Sequence, residues 1–184
     1  RGKRTIEDHF SPDQRYLTKL EESGISQASK DLKEFYKKIE ASTIIWINQP
    51  TPKGFGHAVL QAKSFTNKDP FLVHAGDTYI TSNSKEHIKQ IIQTKEQTDT
   101  TLCLLEVENT KHYGIAEISG NKSPYLVKRV EEKPEKPLTN LAIMPIYLFT
   151  EKIYKALEET QPGKGKEIQL TDGIQKQIGY NQKI

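Results

Sequence analysis

Short apolar runs alternate with stretches of helical period along this chain, and that alternation limits its possible folds more than any other feature. TIIWIN (43–48), FLVHA (71–75) and TTLCLLEV (100–107) are β-branched or apolar and too short for helices. Between the first two, Gly54 and Gly56 open a helical stretch carrying Ala58, Val59 and Ala62. Between the second and third, Ile88, Ile91 and Ile92 share a helix face that Ser84 can cap. Strands alternating with helices predict an α/β domain with a mixed, mostly parallel sheet flanked by helices. The first third is expected to be helical: Tyr16, Leu17 and Leu20 continue one apolar face, and Leu32, Phe35, Tyr36 and Ile39 form another.

The pattern changes after residue 110. Residues 113–118 and 125–131 read as strands joined by SGNK (119–122), a hairpin signal. Residues 140–149 read as a further strand, where Pro145 implies an edge position or a bulge. Thr150 can cap a helix carrying Ile153 and Leu157, and a last helix carries Leu170, Ile174 and Ile178.

A chain of 184 residues is long enough to bury a substantial core in one domain. Its 27 basic and 24 acidic residues are interspersed, without the basic stripe or interleaved aromatics that nucleic-acid binding needs. A single cysteine, Cys103, excludes an internal disulfide or a cysteine-cluster metal site. No run approaches the roughly 18 apolar residues of a membrane-spanning helix. The start, RGKRTIEDHF, lacks an apolar signal region, so a cytoplasmic protein that does not engage membranes is expected.

Several residues have chemistry that suits a nucleotide site, and each also has a purely structural reading. The turn PKGFGHA (52–58) follows one expected strand and opens a helix, where glycines let backbone N–H groups approach an anion. It can equally be a connection. Gln49 offers a donor and an acceptor suited to a base edge, or it is simply solvated. Asp77 ends a buried strand, where ligands of open α/β sheets bind and where one carboxylate can hold Mg2+; an Asp there also serves a turn. In VEEKP (130–134), alternation sends Glu131 and Glu132 to opposite faces, so one can enter a site. A carboxylate accepts sugar hydroxyl protons and Lys133 supplies a point charge for phosphate, although a solvated charge cluster fits as well. Gly114 would permit close backbone approach, and Asp172 can polarise a site or serve a helix start. The five histidines show no metal-ligand spacing, and His57 reads as structural.

Taken in order, KRTIEDHF (3–10), QPTPKGFGHAVLQAK (49–63), PFLVHAGD (70–77), YGIAE (113–117), VEEKP (130–134), NLAIMPIYLF (140–149) and GKEIQLTDGI (165–174) resemble the sugar-1-phosphate nucleotidylyltransferases. The branch most similar is the bacterial-type UTP–glucose-1-phosphate uridylyltransferases. The resemblance implies a nucleotide-diphospho-sugar transferase fold (Rossmann-like) and synthesis of UDP-glucose and pyrophosphate from UTP and glucose 1-phosphate. It implies that Gln49 and Gly54 recognise uracil or thymine and that Asp77 binds the catalytic Mg2+. It also implies that Gly114 and Glu132 contact sugar hydroxyls and that Lys133 contacts the sugar phosphate, Asp77 and Lys133 being the catalytic pair.

The resemblance also sets expectations by its departures. The family opens with a GxGTR loop and a PK pair that grip the triphosphate, and it places a further metal-binding Asp in a YDxG motif; neither segment is in these 184 residues. Thr78 follows Asp77 where Asp or Asn is common, and Pro145 stands where Gly is usual. The chain is therefore expected to be an internal portion of a longer enzyme, incomplete at both ends and weakly active or inactive alone. Sheet edges left open would favour a homo-oligomer. The expected domain spans 1–184, with 1–110 serving the nucleotide and 111–184 the sugar. Alternatives are a thymidylyltransferase using dTTP, another sugar nucleotidylyltransferase, and a non-catalytic module that binds nucleotide-sugar or assists assembly. A glycosyltransferase of similar fold is disfavoured by the absence of a DxD motif.

Overall fold

The amphipathic periods of the first third become α1 (Arg4–His9), α2 (Gln14–Glu22) and α3 (Ser26–Glu40) in a computed structural model that describes residues 4–81, 86–121 and 123–184. The chain divides into two compact units, Arg1–Trp46 and Ile47–Ile184. In the first, Asp13 caps α2 by accepting from the N–H groups of Arg15 and Tyr16 at 3.0 and 3.1 Å. Its own N–H donates to the Tyr36 hydroxyl at 3.0 Å, which ties α2 to α3. Leu17 and Tyr36 are buried, and Phe10 and Phe35 pack ring against ring.

TIIWIN departs from expectation. Residues 43–48 form no strand, and Ile44, Ile45, Trp46 and Ile47 are all exposed. A buried strand needs a hydrogen-bonded neighbour as well as apolar side chains, and none of the described residues pairs with it.

The second unit holds α4 (Phe55–Gln61), α5 (Lys63–Thr66), β1 (Phe71–His74), α6 (Glu86–Gln93), β2 (Thr100–Glu106), β3 (Gly114–Ser119), β4 (Leu126–Glu132), β5 (Leu141–Phe149), α7 (Lys152–Glu158) and α8 (Leu170–Gly179). Strand β5 organises the sheet. Leu148 pairs with Leu72 of β1 and with Thr101 of β2, so these strands lie on opposite edges of β5. Ala142 pairs with both Leu105 and Ile115, which puts β3 on the same edge as β1. Helices flank the sheet on both faces, as an α/β domain requires. On one side Val59, Ile153, Leu157, Leu170 and Ile174 pack against Tyr147 and Phe149; on the other Ile91 packs against Ile146 and Leu148.

Strand direction is the correction here. Every pairing among the described residues is antiparallel, not mostly parallel. Strands β1 and β2 do run parallel, but β5 is inserted between them in the opposite sense. Central β5 also carries Pro145 without being an edge. The register shifts between Leu102 and Cys103, opposite residues 144–147, so the proline sits at a bulge where its missing N–H leaves no ladder bond unmade. The expected hairpin is β3–β4, although Lys122 of its turn, like Ser84, lies outside the described residues. Thr150 does not cap α7. Its hydroxyl donates to the Asp99 carbonyl at 3.0 Å instead. No helix among the described residues is long and apolar enough to cross a membrane.

Two local arrangements hold the elements that carry the candidate site. The first joins the Gly-rich turn to the segment before α8. The Gly56 N–H donates to the Ile168 carbonyl at 2.9 Å, and the Ile168 N–H donates to the Lys53 carbonyl at 2.8 Å. A Cβ at Gly54 would stand 2.8 Å from the Ile168 oxygen, and one at Gly56 equally close. Gly54 also adopts φ 102°, ψ 172°, a region open essentially to glycine alone. The second is a clasp around Asp99. Its carboxylate accepts from Lys152 Nζ at 2.7 Å and from the Lys183 N–H at 2.8 Å, joining the start of β2 to α7 and the C-terminal segment. Burial alone would raise the Asp99 pKa; the hydrogen bonds from Lys152 and Lys183 and their positive charges outweigh it, and the net shift is downward.

Each arrangement makes a prediction. Gly54→Ala combines a strained backbone with a clash against backbone atoms and should cost about 3 kcal/mol, a fall in Tm of about 6–12 °C by calorimetry. Asp99→Ala should cost about 1–2 kcal/mol at neutral pH. Because the folded-state pKa is lowered, this stability is fully present above the ordinary carboxylate pKa of about 3.9. It disappears as pH falls through the folded value. The gap in Tm between wild type and Asp99→Ala should therefore narrow steadily below about pH 4.

Candidate functional site

The six residues to which the resemblance assigns roles all lie in the second unit, and five of them fall into two groups in contact, Gln49 with Gly54 and Gly114 with Glu132 and Lys133. β3 and β4 pair so that Gly114 lies directly opposite Glu132, and Lys133 continues that pairing by donating its N–H to the Tyr113 carbonyl at 3.0 Å. Alternation sorts the two glutamates as expected. Glu131 is on the outer face, bound to Arg129 at 2.6 Å, while the Glu132 side chain turns inward and is only 14% exposed.

Glu132 is held from two sides. Its Oε2 accepts the Thr171 hydroxyl at 2.7 Å, and Lys133 Nζ stands 3.7 Å from Oε1. Gly114 makes this possible, since a Cβ there would lie 2.9 Å from Thr171 Oγ1 and 3.2 Å from Glu132 Oε2. Lys133 takes a left-handed φ of 44°, and Lys164 Nζ donates to its carbonyl. The Glu132 charge is felt by its neighbours. Burial, and secondarily Glu132, push the Asp172 carboxyl above its ordinary range. The same two causes, in the same order, push up the Tyr147 phenol. Asp172 does not cap α8, whose N-cap is Gln169; it lies in the first turn, and its carboxylate leaves no room for a Cβ at Gly163.

Elsewhere in the same unit, Gln49 and Gly54 touch. Gln49 Nε2 donates to the Gly54 carbonyl at 3.2 Å and to His57 Nδ1 at 2.7 Å. A carbonyl can only accept, which fixes the amide orientation and leaves Oε1 as its uncommitted atom. His57 thereby has a structural role. The glycine turn is not an open anion cradle, since the Gly56 N–H and the space beside Gly54 and Gly56 are used by residues 167–168. Phe55, between these glycines, meets Tyr147 edge to face at 6.1 Å and so links the turn to the Glu132 neighbourhood.

Asp77 reaches this region through sheet topology. β1 and β3 share an edge of β5. β1 leaves it where the Ala75 N–H donates to the Pro145 carbonyl at 3.0 Å, and β3 joins it where Ile115 pairs with Ala142. Asp77 therefore emerges at the sheet position where the strand carrying Gly114 begins. It is exposed, and among the described residues its carboxylate accepts a 3.3 Å bond from the Thr78 hydroxyl alone. Among the described residues no cluster of three or more His, Cys, Asp or Glu side chains is placed to hold a metal. A single accessible carboxylate still fits Mg2+, which keeps several waters and takes substrate phosphates as ligands.

Thr171 is the residue that reading the sequence missed. It lies 39 residues from Glu132 in the chain, and no local pattern pairs a helix-start threonine with a strand-end glutamate.

Known proteins of one family are similar to this chain. The sequence profile described as Nucleotidyl transferase matches residues 16–183. A UTP–glucose-1-phosphate uridylyltransferase from Bacillus subtilis is 37% identical over 182 residues, covering 96% of this chain and 61% of that protein. One from Staphylococcus epidermidis is 36% identical over 180 residues, covering 95% and 61%. The crystal structure of a UDP-glucose pyrophosphorylase complexed with UDP-glucose superposes with a TM-score of 0.81 at 27% identity, covering all of this chain and 68% of the other. The chain thus spans about three fifths of the length of these curated relatives. The match runs from residue 16 to residue 183, nearly the whole chain, and the chain belongs to the nucleotidyl transferase family.

Proposed function

We propose that this chain carries the base- and sugar-binding side of an enzyme that makes UDP-glucose and pyrophosphate from UTP and glucose 1-phosphate. The observation that supports this most is the inward-facing Glu132, fixed between Thr171 and Lys133 and spaced by Gly114. A carboxylate with one oxygen hydrogen-bonded to the protein and the other 3.7 Å from a lysine can still accept a sugar hydroxyl, and that half-exposed lysine suits the sugar phosphate. Relatives 36–37% identical that are named uridylyltransferases support the same reaction class.

In this reading Gln49 Oε1 accepts from the imide N–H of uracil, and Gly54 orients that amide by accepting from its Nε2 at 3.2 Å. Thymine presents the same edge, so dTTP is the natural competing nucleotide. Gly114 and Glu132 bind glucose hydroxyls, and Lys133 holds the phosphate of glucose 1-phosphate. An oxygen of that phosphate attacks the α-phosphorus of UTP in line. The new O–P bond forms as the bond from the α-phosphorus to the bridging oxygen of pyrophosphate breaks. These residues contribute position and charge neutralisation and no covalent intermediate. Asp77 is the protein ligand we assign to Mg2+, which when bound would offset charge on the triphosphate and the leaving pyrophosphate. Residues 1–110 would serve the nucleotide and 111–184 the sugar. The cytoplasm is the compartment this reading implies.

The test is pyrophosphate release with Mg2+, UTP and glucose 1-phosphate, run beside dTTP and other sugar 1-phosphates, using the full-length protein. Turnover should be fastest with UTP and glucose 1-phosphate. Glu132→Gln should raise KM for glucose 1-phosphate by about 10-fold or more with little change in KM for UTP. Asp77→Asn should instead lower kcat by about 100-fold. Absence of turnover with every sugar 1-phosphate would contradict the proposal.

A further inference from the structure

Glu132 is anchored by a side chain to which nothing above assigns a functional role. Thr171 is the second residue of α8 and is only 7% exposed. Its hydroxyl donates to Glu132 Oε2 at 2.7 Å, while Oε1 is left on the side of Lys133 Nζ. The fit is tight, because Gly114 has no Cβ that would intrude between the hydroxyl and the carboxylate. The Thr171 backbone is not free to adjust either. Three residues earlier, Ile168 is bound through both its N–H and its carbonyl to the turn at Lys53 and Gly56.

A half-buried carboxylate with one oxygen fixed has far fewer orientations than one attached only through its own rotamers. We propose that Thr171 is a positioning residue for the sugar side of the site: its hydroxyl holds the Glu132 carboxylate so that Oε1 is presented to a glucose hydroxyl. This rests on the reading that Glu132 binds the sugar of UDP-glucose. Without the hydroxyl, Oε2 would lose its donor in a half-buried site, and the side chain would turn toward Lys133 or solvent. Nothing on the base side depends on this bond, so its loss should weaken sugar recognition and spare the nucleotide.

The experiment is calorimetric binding of UDP-glucose and of UDP, each with Mg2+, to the full-length protein and its variants. The ratio of the two dissociation constants isolates the glucose contribution. Wild type should bind UDP-glucose more tightly than UDP. Thr171→Val keeps the shape and removes the donor, and should weaken UDP-glucose about tenfold while leaving UDP within about twofold. Thr171→Ser should restore the wild-type ratio, and in a Glu132→Ala background Thr171→Val should cause no further loss. If the valine variant does not fold, Thr171→Ala is expected to behave in the same way. A ratio unchanged by loss of the hydroxyl, or an equal weakening of both ligands, would overturn the inference and leave the uridylyltransferase reading standing. A wild-type protein that binds neither ligand would overturn that reading and this inference together.

Discussion

Two backbone hydrogen bonds, Gly56 to Ile168 and Ile168 to Lys53, set the positions of the segments that carry the candidate site. They fasten the turn that leads into α4 to the segment that leads into α8. The start of α8 is thereby fixed, and Thr171 and Asp172 stand beside the end of β4. Glycine is required at 54 and 56 because the partner backbone occupies the space a Cβ would fill. Apolar packing completes the join, with Leu157 beneath both Gly56 and Gly173. The turn bearing Gly54, which Gln49 contacts, and the helix start that holds Glu132 thus meet at one backbone junction.

The electrostatics follow from that junction. Glu132 and Asp172 are close enough for one charge to raise the pKa of the other, and Lys133 is the cation nearest the glutamate. Burial is the larger cause of the Asp172 shift, and the Glu132 charge adds to it. Burying a carboxylate in this way is unfavourable, and stability is supplied elsewhere by the Asp99 clasp and the core around β5.

Much of the fold was legible in the sequence because its signals are local. The helical period of residues 32–39, the alternation at Glu131 and Glu132, and the β3–β4 hairpin each depend on neighbours within a few residues. Strand direction was not legible. Whether β5 enters antiparallel between β1 and β2 is a question of topology, and the apolar runs look the same either way. TIIWIN reads as a strand by composition, yet strand formation needs a ladder partner that composition does not report. Of the candidate site, Gly114, Glu132 and Lys133 could be recognised as a group from their motifs. Thr171 could not, since its pairing with Glu132 is set by the long-range docking of α8. The role of Gly54 and Gly56 was visible as a need for close approach, but what approaches them most closely is the chain's own backbone.

The most direct test of this account is native-state hydrogen exchange at the amides of Gly56 and Ile168. If the junction is the element on which both sides of the site depend, these two amides, far apart in sequence, should exchange at the same slow rate. They should also respond together to denaturant, as members of one cooperative unit. Fast exchange at either amide, with the core amides of β5 still protected, would show that the junction opens independently and would contradict the account.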